Sequence, residues 1–279
     1  MWVLTTIAET RAACARLHSD GKTLGLVPTM GALHPGHLSL VEAAQAAGDT
    51  VVVSIFVNPT QFGPKEDFAA YPRTLAEDCR MLESAGVALV FAPSAEEMYP
   101  AGASTFVDVE GLSARLDGAS RPGHFRGVAT VVSKLLHIFN PDRAYFGQKD
   151  AAQVAVLRKM VRDLRFGVKL VVCPTVREPD GLAMSSRNRN LRPEERQQAL
   201  VLSRALQAAR KMFEGGERAS GKLLGAGLGV IETEPAVVVD YLRLVDLDTL
   251  DDLPSARPGA LLAVAARVGS VRLIDNILL

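Results

Sequence analysis

His34 and His37 stand three residues apart around Gly36 in the stretch PTMGALHPGH. Imidazoles at this spacing admit three kinds of chemistry: metal ligation, packing as satisfied core groups, or hydrogen bonding to phosphate. A zinc site needs three or four protein ligands, and no other His or Cys falls at a recognisable partner spacing. Position favours phosphate. The pair follows the apolar run LGLVP and opens the amphipathic run HLSLVEAAQAAGD, so it sits where the free backbone N–H groups and dipole of a helix N-terminus attract anions. Gly31 and Gly36 would let a nucleotide approach the backbone closely.

The elements that must position this pair are legible in the same region. Between residues 24 and 176, short β-rich runs (LGLVP, TVVVSIFVN, VALVFAP, RAYFG, KLVVCPTV) alternate with longer amphipathic segments, the rhythm of βαβ units on a parallel sheet. The unbroken apolar character of VVVSIFV calls for cover on both faces. Thr74 and Glu77 have capping-box spacing at the head of TLAEDCRMLESAG, and Gly48 and Gly86 close two of the helices. In KDAAQVAVLRKMVRDL, the residues Val154, Leu157, Val161 and Leu164 form the expected buried stripe, with Asp150 and Gln153 continuing it toward the sheet edge.

After residue 176 the texture changes. A polar loop leads to a helical pattern from Pro193 to about Glu214, a Gly-rich helical stretch, and the β-type runs VVVDYLRLVD and GALLAVAARVGSVRLIDNILL. The expected architecture is therefore α/β: a Rossmann-like parallel-sheet domain over residues 1–175 and a smaller C-terminal α+β domain over 176–279.

Ligands of open parallel sheets bind beyond the carboxyl ends of the strands, and the residues following each strand are distinctive. They are Pro28 to Gly31 with the histidines, Asn58 to Phe62, Gly147-Gln148-Lys149-Asp150, and Pro174 to Val176 with the loop Met184-Ser185-Ser186-Arg187. Each has a bland alternative: Asn58-Pro59 as a strand-ending turn, Lys149 and Asp150 as a solvated helix start, Arg121 as a surface arginine, Ser185 to Arg187 as an interdomain linker. The stretch GERASGKL, 216–223, matches part of a P-loop but has Leu223 in place of the Mg²⁺-binding Ser/Thr and no strand before it.

Composition narrows the partners. Lys and Arg number 31 and so do Asp and Glu, among 279 residues, which argues against a nucleic-acid surface as the main role and for small molecules. The three cysteines, Cys14, Cys79 and Cys173, are scattered, so reduced thiols and a cytoplasmic location are expected. No apolar run approaches the ~18 residues of a membrane span.

Taken together, the motifs resemble a known family. His34-Pro35-Gly36-His37 is similar to the HxGH form of the HIGH motif of the nucleotidyltransferase superfamily, and Met184-Ser185-Ser186-Arg187 to its KMSKS counterpart. PTMGALHPGH, FVNPTQFGP, YPRT, RPGHFRGVATVVSKL, FGQKD and REPDGLAMSSRN follow, in order, the pattern of the pantoate–β-alanine ligase family. Gln148, where Glu is expected, and Ala151, where an aromatic is common, are small departures.

The resemblance implies ATP-dependent condensation of pantoate with β-alanine through pantoyl adenylate, releasing pyrophosphate and then AMP. It implies a homodimer and Mg²⁺ accompanying ATP. By the same resemblance His34, His37, Lys149, Ser185, Ser186 and Arg187 are the catalytic set. ATP contacts are expected from Met30, His37, Gly147, Gln148, Lys149, Asp150, Val176 and Met184 to Arg187. Pantoate contacts are expected from Pro28, Met30, Gln61, Gln153, Val131 and Val132, with support from Asn58. Arg121 would reach the triphosphate, His124 would orient its loop, and Glu77 and Asp78 would assist Mg²⁺. Two alternatives stay open: a nucleotidyltransferase of the same superfamily acting on another small acid, and a non-catalytic nucleotide sensor on the same fold.

Overall fold

The computed structural model describes residues 1–64 and 66–279. Its strands are β1 (Trp2–Leu4), β2 (Leu24–Thr29), β3 (Thr50–Ile55), β4 (Leu89–Phe91), β5 (Arg143–Gly147), β6 (Lys169–Cys173), β7 (Val237–Val245), β8 (Leu261–Val268) and β9 (Val271–Leu278). The helices are α1 (Ile7–Ser19), α2 (Pro35–Ala46), α3 (Leu75–Ser84), α4 (Ala95–Met98), α5 (Asp117–Ser120), α6 (His124–Phe139), α7 (Ala151–Asp163), α8 (Pro193–Glu214) and α9 (Ser220–Ile231).

The first six strands form one parallel sheet in the order β1-β4-β3-β2-β5-β6. Helices cover both faces. One core joins the sheet to α6 and α7 through Leu26, Phe91, Phe125, Phe139 and Leu157, and the other packs α2 and α3 on the opposite face through Val27, Val41, Leu82 and Tyr145. This is why β3 has no alternation: Val51, Val52 and Val53 are all buried. The architecture is the expected α/β, Rossmann-like sheet. No helix among the described residues is long and apolar enough to cross a membrane.

The remaining strands form a small antiparallel sheet, β7-β8-β9. Alternate residues of β9, Val271, Leu273 and Ile277, join a separate core with α8 and α9. The intervening Arg272, Ile274 and Asn276 therefore belong to the opposite face of β9, toward the first sheet.

Three local expectations need correction. Val154 and Leu157 are buried, but Leu164 lies beyond the end of α7 and is 54% exposed, while Met160 takes the inward place. Thr74 makes no side-chain cap of α3; its hydroxyl donates instead to Asp78 Oδ2 at 3.2 Å. The edge strand β1 escaped the sequence reading because its three residues carry no periodicity, and only its pairing with β4 defines it.

The partial P-loop match is explained by context. It follows α8 rather than a strand and runs into α9, and Lys222 pairs with Glu217 at 2.9 Å.

Gly127, in the first turns of α6, is where helix and site touch most closely. A Cβ there would lie 2.3 Å from the Thr60 carbonyl oxygen and 2.7 Å from Gln61 Cα. Gly127→Ala should therefore displace the Asn58–Gln61 turn and lower stability by about 1–3 kcal/mol. Urea unfolding of the variant tests this, and an unchanged midpoint would show that the close approach imposes no constraint.

Candidate active site

Strands β2, β3 and β4 are laid down successively in one direction across the sheet, and β5 and β6 in the other. The direction reverses between β2 and β5, and there the two following loops diverge to opposite faces and leave a crevice. β2 delivers the Thr29–His37 turn to this crevice, and β5 delivers Gly147 to Asp150. A cavity of about 700 Å³ occupies it.

The histidine turn is built from its own hydrogen bonds. His34 is the N-cap of α2: its Nδ1 accepts from the Gly36 N–H at 3.1 Å, and the Nδ1 of His37 accepts from the His34 N–H at 3.3 Å. With both Nδ1 atoms acting as acceptors, a neutral imidazole carries its proton on Nε2. The two rings lie 4.0 Å apart between centroids. Burial and the nearby Lys149 and Arg189 charges lower the His34 pKa to about 4, and burial, His34 and Lys149 lower that of His37 to about 3. The pair is thus neutral at physiological pH, with an Nε2–H donor on each ring.

The glycines here serve the protein's own packing. A Cβ on Gly36 would sit 2.9 Å from the His34 ring, and Gly31 has φ +80° with a would-be Cβ 3.0 Å from Asp78 Oδ2. Gly36 also lines the cavity.

Asp78 also has a different task from the one expected. It is 2% exposed, and its carboxylate accepts from the Ala32 N–H at 3.0 Å and the Leu33 N–H at 2.8 Å as well as from Thr74. It pins the turn from behind. Glu77 is exposed and borders a separate small cavity with Met81 and Arg189. Neither Glu77 nor Asp78 lines the main cavity, and no group of three or more His, Cys, Asp or Glu among the described residues is arranged to hold a metal ion.

Pro28, Met30, Gln61, Val131, Val132 and Gln153 line the same cavity as His34, His37, Gly147, Lys149 and Asp150. Gln61 donates from Nε2 to the Met30 sulfur at 3.0 Å, a weak acceptor that a ligand oxygen can replace. Its Oε1 accepts from Asn58 Nδ2 at 3.0 Å. Asn58, 1% exposed, does not line the cavity; its Oδ1 receives Thr60 and Tyr99, so it supports Gln61 from beneath.

Val176 and Met184 to Arg187 close the cavity from the other side. Met184 Cβ would lie 3.5 Å from a Cβ on Gly36, so this loop rests against the histidine turn. Ser186 and Tyr71 share a hydroxyl hydrogen bond at 3.1 Å, and Arg187 makes a two-toothed pair with Asp67 at 3.0 and 3.1 Å.

Gln148 and Arg121 are both held by protein partners. Gln148 is absent from the lining: its Nε2 donates to Asn276 Oδ1 at 3.1 Å, which turns the side chain toward β9. Arg121 does line the cavity, but at the Gln61 end, where its guanidinium binds Glu66 and the Gln61 carbonyl. Burial alone would raise the Glu66 pKa, yet the Arg121 hydrogen bond and charge hold it down at about 2. His124 donates from Nδ1 to the Gln61 carbonyl at 2.8 Å.

Sequence reasoning missed Glu66, Asp67, Tyr71, Asp117 and the β9 residues Arg272 and Asn276. Apart from Tyr71, which opens the YPRT motif, no local pattern marks them, since their roles arise from contacts with distant segments.

A family model described as Pantoate-beta-alanine ligase matches residues 2–278. The pantothenate synthetase of Acidobacterium capsulatum is 64% identical over 285 residues, covering 98% of this chain and 95% of that protein. The crystal structure of pantothenate synthetase from Thermus thermophilus superposes with a TM-score of 0.95 at 51% identity, covering 99% of each chain. A pantoate-beta-alanine ligase from Francisella tularensis, complexed with beta-gamma ATP and beta-alanine, gives a TM-score of 0.82 at 34% identity, covering 100% of this chain and 97% of that one.

The neutral histidines set a pH signature. Folded-state pKa values of about 4, 3 and 4 for His34, His37 and His124 lie below the ordinary 6.5, so the unfolded chain takes up protons first as pH falls. Their contribution is fully present above 6.5 and is lost progressively toward the folded values. Urea midpoints should drop between about pH 7.5 and about pH 5, and substituting His37 by Gln should shallow that drop. An equal slope in the variant would contradict the neutral assignment.

Proposed function

The chain belongs to the pantoate–beta-alanine ligase family, and we propose that the crevice between β2 and β5 is where it condenses pantoate with β-alanine at the expense of ATP. In the first step a pantoate carboxylate oxygen attacks the α-phosphorus and the bond to the β-phosphate oxygen breaks, giving pantoyl adenylate and pyrophosphate. In the second, the β-alanine amine attacks the acyl carbon, the acyl–phosphate C–O bond breaks, AMP leaves, and the amine proton passes to solvent. Two anions must meet in the first step, so the residues' main work is to neutralise developing charge and hold the reactants in line.

One observation carries this reading: the histidine turn, Lys149 and the Ser185–Arg187 loop come from three separate chain segments and line one cavity at the strand-order reversal. The His34 and His37 Nε2–H groups donate to phosphate oxygens, and Lys149 supplies the cation beside them. Gly147, Asp150, Val176 and Met184 border the nucleotide. Gln61 and Gln153 bind the pantoate carboxylate and hydroxyls, and Pro28, Met30, Val131 and Val132 wall its dimethyl group. Ser185, Ser186 and Arg187 close over the phosphates and keep water from the hydrolysable adenylate.

ATP enters as its Mg²⁺ complex. The phosphates themselves provide oxygen ligands. Residues 1–175 and 176–279 act as two units in a cytoplasmic homodimer, the smaller unit carrying β9 against the site.

Pantoate-dependent exchange of labelled pyrophosphate into ATP tests the reading, followed by AMP and pantothenate formation once β-alanine is added. A stable nucleotide conjugate as end product would sink it. His37→Ala and Lys149→Ala should each slow exchange by ~10²–10³, by analogy with loss of a single oxyanion donor. Undiminished exchange in both variants would refute the site assignment and leave the fold untouched.

A further inference from the structure

The loop carrying Lys149 has no cap of its own. Neither Gly147 nor Asp150 makes a side-chain cap hydrogen bond to the turn 148–150 or to α7. What holds it comes from 127 residues further along the chain. Asn276 on β9 donates from Nδ2 to the Lys149 carbonyl at 2.8 Å and to the Gln148 carbonyl at 3.0 Å, and its Oδ1 accepts from Gln148 Nε2 at 3.1 Å. Every hydrogen-bonding group of one amide side chain is thus committed to two successive residues of the loop.

Asn276 is itself held rigidly. It is 4% exposed, and its backbone N–H donates to Asp275 Oδ1 at 2.7 Å. Asp275, 4% exposed, is gripped by Arg177 at 2.6 and 2.9 Å. Arg177 also donates to the Gly181 carbonyl at 3.0 Å, and its strand-like bridge to Ala183 leads directly into Met184. One buried cluster therefore ties β9 both to the Lys149 loop and to the base of the Ser185–Arg187 loop. A buried amide with both ends satisfied has little freedom to rotate.

We propose that Asn276 is a positioning residue for adenylation: it fixes the Lys149 backbone so that the ammonium group meets the phosphates. The inference rests on the ligase reading. It concerns the first half-reaction, in which two anions must be aligned, and not the second, in which the amine attacks an uncharged acyl carbon.

The test uses the full-length enzyme with Asn276→Ala and with Asn276→Asp, which retains size and the acceptor for Gln148 but loses the donor to the two carbonyls. Pantoate-dependent pyrophosphate exchange should fall about ten- to a hundredfold in both, as small misplacements of a reacting group do. Aminolysis of preformed pantoyl adenylate by β-alanine should stay within about twofold of wild type. On a Lys149→Ala background, Asn276→Ala should add no further loss in exchange, because a residue that acts through Lys149 has nothing left to position. Equal losses in both half-reactions, or a full additional loss on the Lys149→Ala background, would overturn the proposal as mere structural damage. Exchange retained by both variants would overturn it outright. Absence of exchange in the wild-type enzyme would remove the ligase reading itself, a result distinct from either.

Discussion

The parallel pairing of β2 with β5 brings side by side two strands whose following loops depart to opposite faces of the sheet. A crevice opens there beyond the strand ends, and the chain between β4 and β5 helps to line it through Arg121, His124, Val128 and Val131. The histidine turn and the Lys149 loop are the exits of those two strands, so their proximity depends on strand order and on no direct contact between them. The buried valines of β3 and the two helical layers exist to make that pairing rigid. Small shifts at the strand ends would be passed directly to the residues that line the cavity.

Around the crevice, charge is controlled by pairing and by burial. The cations Arg121 and Arg187 are matched by Glu66 and Asp67, while His34 and His37 stay neutral because burial and the Lys149 charge oppose protonation. An uncharged donor pair beside one lysine suits a reaction between two anions. Asp78, Asn58 and Asn276 each bind backbone or amide groups from behind the surface that a substrate meets. The site is thus a set of loops whose shape is imposed by buried polar anchors lying outside the cavity.

The local layer was readable because it is written in short-range patterns. Strand runs β2 to β6 show as short unbroken apolar stretches, and the helix Pro193–Glu214 rests on a 3.6-residue period, both visible in a short window. His34 and His37 were legible because the N-cap position and the strand before it are sequence neighbours. Leu164 was misjudged because a stripe continues on paper past the residue where the helix stops. The Thr74 and Glu77 spacing satisfied a capping rule, yet Asp78 took the threonine hydroxyl for the histidine turn. A local preference lost to a buried carboxylate that needed another donor.

By itself, then, the order of residues determined the α/β class and the strand exits whose residues line the cavity, because each depends on neighbours within a few positions along the chain. Only the tertiary structure decided that Asp78 is a backbone anchor, that Gln148 turns away from the cavity, and that Arg187 is matched by Asp67. It alone placed Asn276 against Lys149. The physical reason is the same in every case: whether a polar side chain faces a substrate or a buried amide is settled by which distant segment reaches it first, and a sheet with a reversed strand order brings together segments that no local pattern connects.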